Sequence, residues 1–237
     1  MIAGMRGRFI TFEGLDGCGK STQLEKLAAV LRRRGVDVVT TREPGGTPIG
    51  EQVREILLNS RTRGLAPRAE LALMFASRGQ LIEDLIKPAL QQGQWVLCDR
   101  YTDSSEAYQG GGRQLGSEPV LELHRILCRG LQPDLTVLMD SEVAHSVARA
   151  RRRNARVAAD GTGMDENRFE QESRAFFERV HEKYLEIAKR EPQRVFLVDA
   201  RRDPDVVHAE IVQEVRARLL GVDATVGARP SAVGPRS

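Results

Sequence analysis

Residues 14–21 read Gly14-Leu15-Asp16-Gly17-Cys18-Gly19-Lys20-Ser21. They match the phosphate-loop pattern G-x-x-x-x-G-K-[ST] at every fixed position. The flanks agree with it. Arg8 to Phe12 is an apolar, β-prone run before it, and Gln23 to Leu31 after it carries apolar residues at helical spacing. Strand, glycine loop and helix is the arrangement in which backbone N–H groups converge on phosphate oxygens. The helix N-terminus adds partial positive charge. Lys20 then reaches the β- and γ-phosphates and Ser21 holds Mg²⁺. Glycine-rich turns also precede helices without any ligand, but the matched positions and flanks together point to a bound nucleoside triphosphate.

The 237 residues suffice for one α/β domain with a sizeable core. A formal charge of +3 is too small to argue for nucleic acid by itself. Cys18, Cys98 and Cys128 are odd in number and widely spaced, which suits reduced thiols better than a disulfide frame. No apolar run is long enough to span a membrane, and Met1 to Gly7 lack an apolar signal core. These features predict a cytoplasmic protein.

Four further runs read as strands: Val36 to Thr40, Trp95 to Cys98, Leu135 to Met139, and Val195 to Val198. All are short and nearly continuously apolar, as strands covered on both faces require. Helical patterns cover Gly50 to Asn59, Arg68 to Gln91 (stopping near Pro88 and Gly93), Pro119 to Cys128, Glu142 to Arg153, Arg168 to Arg190 and Pro204 to Leu220. The alternation predicts an α/β fold of the P-loop NTPase kind: a five-stranded parallel sheet with helices on both faces. Ligands then bind at the carboxyl ends of the strands, where Glu13, Arg42, Glu43, Asp99 and Arg100 fall. The domain is placed at 1–220, with a mobile lid at about 149–167 containing a flexible loop from Arg156 to Gly163. The Gly/Ala/Pro/Ser-rich tail, 221–237, is expected to be disordered.

Two more segments carry phosphate chemistry. Asp99 to Arg113 reads D-R-Y-T-D-S-S-E-A-Y-Q-G-G-G-R. Its strand-end aspartate can hold Mg²⁺ or orient Arg100, whose fork suits a phosphate. Thr41 to Thr47 reads T-R-E-P-G-G-T, a rigid turn after a strand, and Arg54 follows in G-E-Q-V-R. Arg149, Arg151, Arg152, Arg153 and Arg156 cluster before and within the flexible loop.

With the phosphate loop and a closing V-F-L-V-D-A, these segments resemble bacterial thymidylate kinases from about Arg8 to about Leu219. The resemblance implies ATP-dependent phosphorylation of dTMP to dTDP, on the route to dTTP for DNA replication. It implies ATP with Mg²⁺ as cofactor, dTMP and ATP as small-molecule partners, no nucleic acid, no membrane, and a homodimer through helices near Leu71–Leu85 and Val120–Cys128. By matched positions, Gly14 to Ser21, with Thr22, would bind ATP phosphates, joined by Arg149 and Arg151. Asp16, Ser21 and Asp99 would face the metal, with Asp16 also near the acceptor phosphate. Arg100, with Arg42 or Arg54, would grip the dTMP phosphate. Arg78 would donate to thymine O4, Ser105 would meet the base N3 edge, and Tyr108 would stand by the sugar and disfavour a ribose hydroxyl. Glu43, Pro44, Ser104 and Gln109 complete the expected substrate contacts.

The family has two arrangements of the catalytic arginine. Here Asp16 is followed by Gly17 and Cys18, with no basic residue in the loop. The resemblance is therefore to the type with lid arginines, with Arg153 expected to act beside Lys20, Asp16 and Arg100. Two positions depart from the family pattern. Its base-stacking phenylalanine lies four residues before the thymine-binding arginine, where this chain has Met74; Phe75 lies three before Arg78, and either can pack on the base. Its D-R-x-E motif after the lid reads Asn167-Arg168-Phe169-Glu170 here. Among the remaining residues, Cys18, beside a helix N-terminus and Lys20, is expected to have a lowered pKa and some thiol reactivity without a catalytic role. Asp140 and Asp199 are expected to cap turns. The four histidines show no metal-ligand spacing. Two other functions remain in view. One is a kinase for another nucleotide or nucleoside. The other is a nucleotide switch or nucleic-acid-binding ATPase, although N-K-x-D is absent and the basic residues form one short segment.

Overall fold

The structure, a computed structural model, describes residues 7–160 and 165–220. The tail at 221–237 lies outside the described residues, as do 161–164 within the expected lid.

Five parallel strands form the expected sheet: β1 Phe9–Glu13, β2 Val38–Arg42, β3 Trp95–Asp99, β4 Leu135–Asp140 and β5 Val195–Asp199. Their spatial order is β2-β3-β1-β4-β5, with Ile10 in register with Leu97 on one side and Leu135 on the other. β1 is therefore central and buried throughout. The phosphate loop leaves it where the chain order reverses, the crevice in which open α/β sheets bind ligands.

Helices cover both faces. On one, α1 (Lys20–Arg33) and α9 (Pro204–Val215) bury Leu24, Leu27, Leu31, Val207 and Ile211 against Ile10, Phe12, Val137 and Val198. On the other, α3 (Pro67–Leu81), α4 (Lys87–Gln91) and α6 (Glu118–Leu127) enclose Phe9, Phe75, Leu81, Ile86, Val96 and Tyr101. Full burial of each large apolar side chain contributes about 1.5–3 kcal/mol. A third cluster, with Leu15, Tyr108, Phe169, Phe176 and Tyr184, lies beneath α8 (Arg174–Arg190) at the sheet's carboxyl edge. Two polar side chains within the core, Thr11 and Thr136, pair with each other at 2.8 Å.

Helix starts follow local chemistry. Thr47 Oγ1 accepts from the Gly50 N–H at 3.0 Å to cap α2 (Pro48–Leu58), and Ser173 Oγ accepts from Phe176 N at 3.2 Å to cap α8. α1 has no side-chain cap. Its first N–H groups stay available to an anion.

β2 lies two residues later than expected and a π turn, Arg216–Leu220, replaces the end of the last helix; three further boundaries differ from the sequence-based expectation. The Arg68–Gln91 helix continues to Gln91, but a π turn at Ile82–Ile86 separates α3 from α4. That wider turn sits just before Pro88, which has no N–H to continue the α ladder. α7 (Val143–Asp160) runs seven residues past Arg153 into the segment read as a loop. Ala155, Ala158 and Ala159 are strong helix formers and favour that extension. α8 begins only at Arg174, because Phe169–Gln171 form a separate 3₁₀ turn.

The stretch after Asp99 carries no helical periodicity, yet it forms α5 (Thr102–Ser105) and then a π helix, Glu106–Gly112. The three glycines are needed for packing. A Cβ on Gly112 would lie 2.5 Å from the Phe176 ring, and one on Gly111 would lie 2.8 Å from the Lys183 Cβ. Without side chains there, α8 can lie directly on this segment.

Candidate active site

One cleft of about 1100 Å³ opens at the carboxyl edge of the sheet. Its floor is the phosphate loop. Gly14, Gly17 and Gly19 have φ of +132°, +83° and +102°, the left-handed backbone that glycine adopts without strain. A Cβ on Gly17 would also meet the Ser146 carbonyl oxygen at 2.4 Å. Lys20 Nζ donates to the carbonyl oxygens of Gly14 (3.1 Å) and Leu15 (2.9 Å). Asp16, Gly17, Gly19, Lys20, Ser21 and Thr22 line the cleft. Leu15 and Cys18 instead turn their side chains into the core.

Cys18 corrects an expectation. Burial pushes its thiol above the ordinary cysteine value, and the opposing pull of Lys20 is weaker. The side chain is a small packed apolar group, not an activated thiol.

Ser21 Oγ donates to Asp99 Oδ2 at 2.6 Å, and the other carboxylate oxygen of Asp99 is buried with no partner among the described residues. A hydroxyl beside a half-used carboxylate is the hard oxygen set that a partly hydrated Mg²⁺ accepts. No group of three His, Cys, Asp or Glu residues suited to holding a metal occurs among the described residues.

Arg100 stands between the loop and the far half of the cleft. Its backbone is left-handed, with φ +74°. Its Nη2 pairs with Asp16 at 2.9 Å and donates to Tyr108 Oη at 3.2 Å. Its Nη1 donates to Ser104 Oγ at 2.8 Å and Tyr184 Oη at 3.2 Å. Tyr108 Oη donates in turn to Asp16 at 3.1 Å. The Tyr108 ring is held edge-on by Phe169, Phe176 and Tyr184. Tyr108 thus lines the cleft while its ring packs into the core.

The far half is built on Arg78, 2 % exposed. Its Nε donates to Glu43 at 2.6 Å, and its Nη2 donates to Ser105 Oγ and the Tyr101 carbonyl, each at 3.0 Å. The guanidinium lies over the rings of Phe75 and Tyr101, 4.5 and 5.2 Å from their centroids. Its Nη1 has no partner among the described residues, nor has Glu43 Oε1. Burial raises the Glu43 carboxyl to about 7 against the pull of Arg78. Met74 is half-buried and lines the cleft, whereas Phe75 is fully enclosed behind Arg78. Of the two candidates, Met74 faces the cleft and Phe75 does not.

Arg42, Glu43, Pro44, Arg54, Ser104, Ser105 and Gln109 also line the cleft. Arg54 forms two 2.7 Å bonds to Glu166 and a third to the Pro44 carbonyl, and Arg42 pairs with Glu51 at 3.0 Å. Gln109 Nε2 donates to buried Glu70 at 2.9 Å. Arg149 lines the cleft. Arg151 does not: its Nε donates to the Glu170 carbonyl at 3.0 Å and ties α7 to the 3₁₀ turn Phe169–Gln171. The side chains of Arg153 and Arg156 lie outside the described residues. Asn167, in place of the family's aspartate, donates through its side chain to Asp165 at 3.0 Å. Asp199 accepts from the Arg201 N–H at 3.0 Å, the turn-capping role expected of it, whereas Asp140 Oδ1 meets His181 Nε2 at 2.7 Å.

Several lining residues carried no sequence signal, among them Leu58, His145 and Asn154, while Arg152 of the arginine cluster lines the cleft as well. Phe169 and Glu170 line the cleft too, and the N-R-F-E segment could have marked them.

A sequence model of the thymidylate kinase family matches residues 12–211. A protein of Alkalilimnicola ehrlichii named thymidylate kinase is 50% identical over 195 residues, covering 82% of this chain and 86% of its own. One of the same name from Trichlorobacter lovleyi is 47% identical over 212 residues, covering 89% and 98%. The crystal structure of thymidylate kinase from Ehrlichia chaffeensis superposes with a TM-score of 0.68 at 32% identity, over 89% of this chain and 99% of that one.

Proposed function

This chain belongs to the thymidylate kinase family, and from that premise we propose how its residues carry out the family's reaction. The enzyme phosphorylates dTMP to dTDP at the expense of ATP, supplying DNA precursor synthesis. The observation that carries the site reading is one cleft with a phosphate loop at one end and, at the other, a buried arginine with an unused donor.

ATP lays its phosphates on residues 14–22 and the uncapped start of α1. Lys20 leaves the Gly14 and Leu15 carbonyls for the β- and γ-phosphates. Ser21 and Asp99, with Asp16 nearby, would hold Mg²⁺, which would neutralise phosphate charge. dTMP places its base over Met74, with O4 toward Arg78 Nη1 and N3 toward Ser105. Its sugar lies against Tyr108, and its phosphate takes Arg100 and Arg54. The acceptor is a phosphate oxygen, so no strong general base is required. The demand is to bring two polyanions together, and fixed cations meet it. Arg149 and Arg152 from α7 add charge from the ATP side, and Arg153 on the same helix remains the arginine assigned to catalysis by the family pattern.

Arg78→Met keeps the stem and removes the fork. Losing a charged hydrogen bond to the base is expected to lower kcat/KM for dTMP about 10²-fold. ATP affinity, read by equilibrium binding, stays unchanged. Full kcat/KM in this variant would remove Arg78 from the base site.

A homodimer accounts for Leu121, Ile126 and Leu127, apolar side chains left exposed on α6 next to α3. A monomeric mass in sedimentation at micromolar concentration would exclude it. No helix of the described residues is long and apolar enough to cross a membrane.

A further inference from the structure

Glu13 ends β1 immediately before the phosphate loop and is completely buried. Both its oxygens are engaged. Oε1 accepts the Tyr101 N–H at 2.7 Å, and Oε2 accepts Ser104 Oγ at 2.5 Å and Tyr184 Oη at 3.1 Å. The two hydroxyls lie 2.8 Å apart. Both receive Arg100 Nη1, at 2.8 Å for Ser104 and 3.2 Å for Tyr184. A buried carboxylate is costly when it lacks a direct cation partner, and this one reaches its cation only through two hydroxyls. Those hydroxyls come from different segments, α5 and α8. Arg100 also has a backbone conformation that side-chain-bearing residues rarely hold, so its direction depends on what grips it.

We propose that Glu13, acting through Ser104 and Tyr184, is the positioning residue that holds the Arg100 guanidinium where the two substrates meet. This rests on the reading of Arg100 as the arginine that grips the acceptor phosphate. As an acceptor, Glu13 receives the Ser104 hydroxyl at 2.5 Å and draws the Tyr184 proton toward itself or toward Ser104 Oγ, which leaves a lone pair of each hydroxyl facing Arg100. Each oxygen of the relay can then serve only as an acceptor toward the guanidinium. Protonation would turn Glu13 into a donor and undo that arrangement. Burial raises this carboxyl to about 7, aided by Asp103 and opposed by Ser104 and Arg100. The titratable and charged groups facing it are Arg100, Asp103 and Cys98 from the β3–α5 segment, Tyr184 from α8, and Arg194 before β5.

The test compares full-length wild type, Glu13→Gln, Tyr184→Phe, Arg100→Ala and the double variants, by steady-state kinetics with ATP and dTMP from pH 6 to 9. Arg100→Ala is expected to lose about 10²- to 10³-fold in kcat/KM for dTMP. Glu13→Gln is expected to lose about 10- to 10²-fold in kcat, with ATP affinity within about 2-fold, and Tyr184→Phe about 3- to 10-fold. The acid limb of kcat near pH 7 flattens in Glu13→Gln, while the limb due to the dTMP phosphate remains. On the Arg100→Ala background either change adds less than about 3-fold, because its effect passes through Arg100. Full activity in Arg100→Ala would overturn the underlying reading. Loss in Arg100→Ala alone, with Glu13→Gln and Tyr184→Phe near wild type, would overturn the relay and leave that reading standing. So would an unchanged penalty on the Arg100→Ala background. If Glu13→Gln does not fold, Tyr184→Phe, which removes one hydroxyl, decides by the same cycle.

Discussion

Lys20→Ala is expected to lower kcat by about 10³-fold or more, with the fold intact. Lys20 is the one lysine lining the cleft among the described residues, and its buried ammonium rests on the loop's own carbonyls at 2.9 and 3.1 Å. These bonds keep the charge desolvated and close to where phosphates lie. Moving from two carbonyl oxygens to an anionic oxygen needs little reorganisation, so the stabilisation grows as charge develops in transfer. Removing the ammonium leaves two carbonyls beside an open cleft, where water can reach them, so the structural cost is small. With dTMP at the other end of the cleft, as proposed, its Kd is expected to change by less than about 3-fold. Kinetics with isothermal titration would check both. A kcat within about 10-fold of wild type would place the phosphate cation elsewhere.

Glu70→Ala is expected to give the largest loss of stability, about 3–5 kcal/mol. Glu70 is fully buried in α3 and gathers three segments. Gln109 Nε2 donates to it at 2.9 Å, Arg113 pairs with it at 3.1 Å, and Arg168 pairs at 2.7 Å. Without the carboxylate, two largely buried guanidiniums lose their shared anion, although Arg113 keeps Glu172 at 2.6 Å. For a chain of this size, about 2–4 °C per kcal/mol gives a fall in Tm of about 6–20 °C. Glu70→Gln keeps acceptors and is expected to lose about half as much. A Tm shift below about 2 °C in Glu70→Ala, by calorimetry, would show that the network contributes nothing net.

Phosphate loop, strands and parallel sheet were legible because each rests on local chemistry. A glycine loop needs its spacing, and a strand covered on both faces needs a continuous apolar run. Strand order was not legible, since the placement of β1 between β3 and β4 depends on crossovers that leave no local mark. The helical nature of 102–112 was hidden by glycines that serve contact with α8. The charged run hides the true end of α7, because the alanines beyond it carry the helix on. In the site, the aligned motifs brought Arg78, Ser105, Tyr108 and Arg100 into one cleft. Which of Met74 and Phe75 faces the cleft could be read only in three dimensions, because neighbouring residues on a helix differ by about 100° of rotation. Glu13 and Tyr184 are 171 residues apart, and neither lies in a pattern that announces a polar core partner. Arg151 reads like its neighbours in sequence, yet its place on α7 turns it to the Glu170 carbonyl.

The most direct measurement is the initial rate of phosphoryl transfer from ATP with Mg²⁺ to dTMP, dUMP, the ribose analogue of dTMP, dCMP, GMP and thymidine. Selective conversion of dTMP to dTDP, with the ribose analogue and dCMP at least about 10²-fold poorer in kcat/KM, is the predicted result. Faster turnover of dCMP or GMP than of dTMP would contradict the pocket formed by Met74, Arg78, Ser105 and Tyr108.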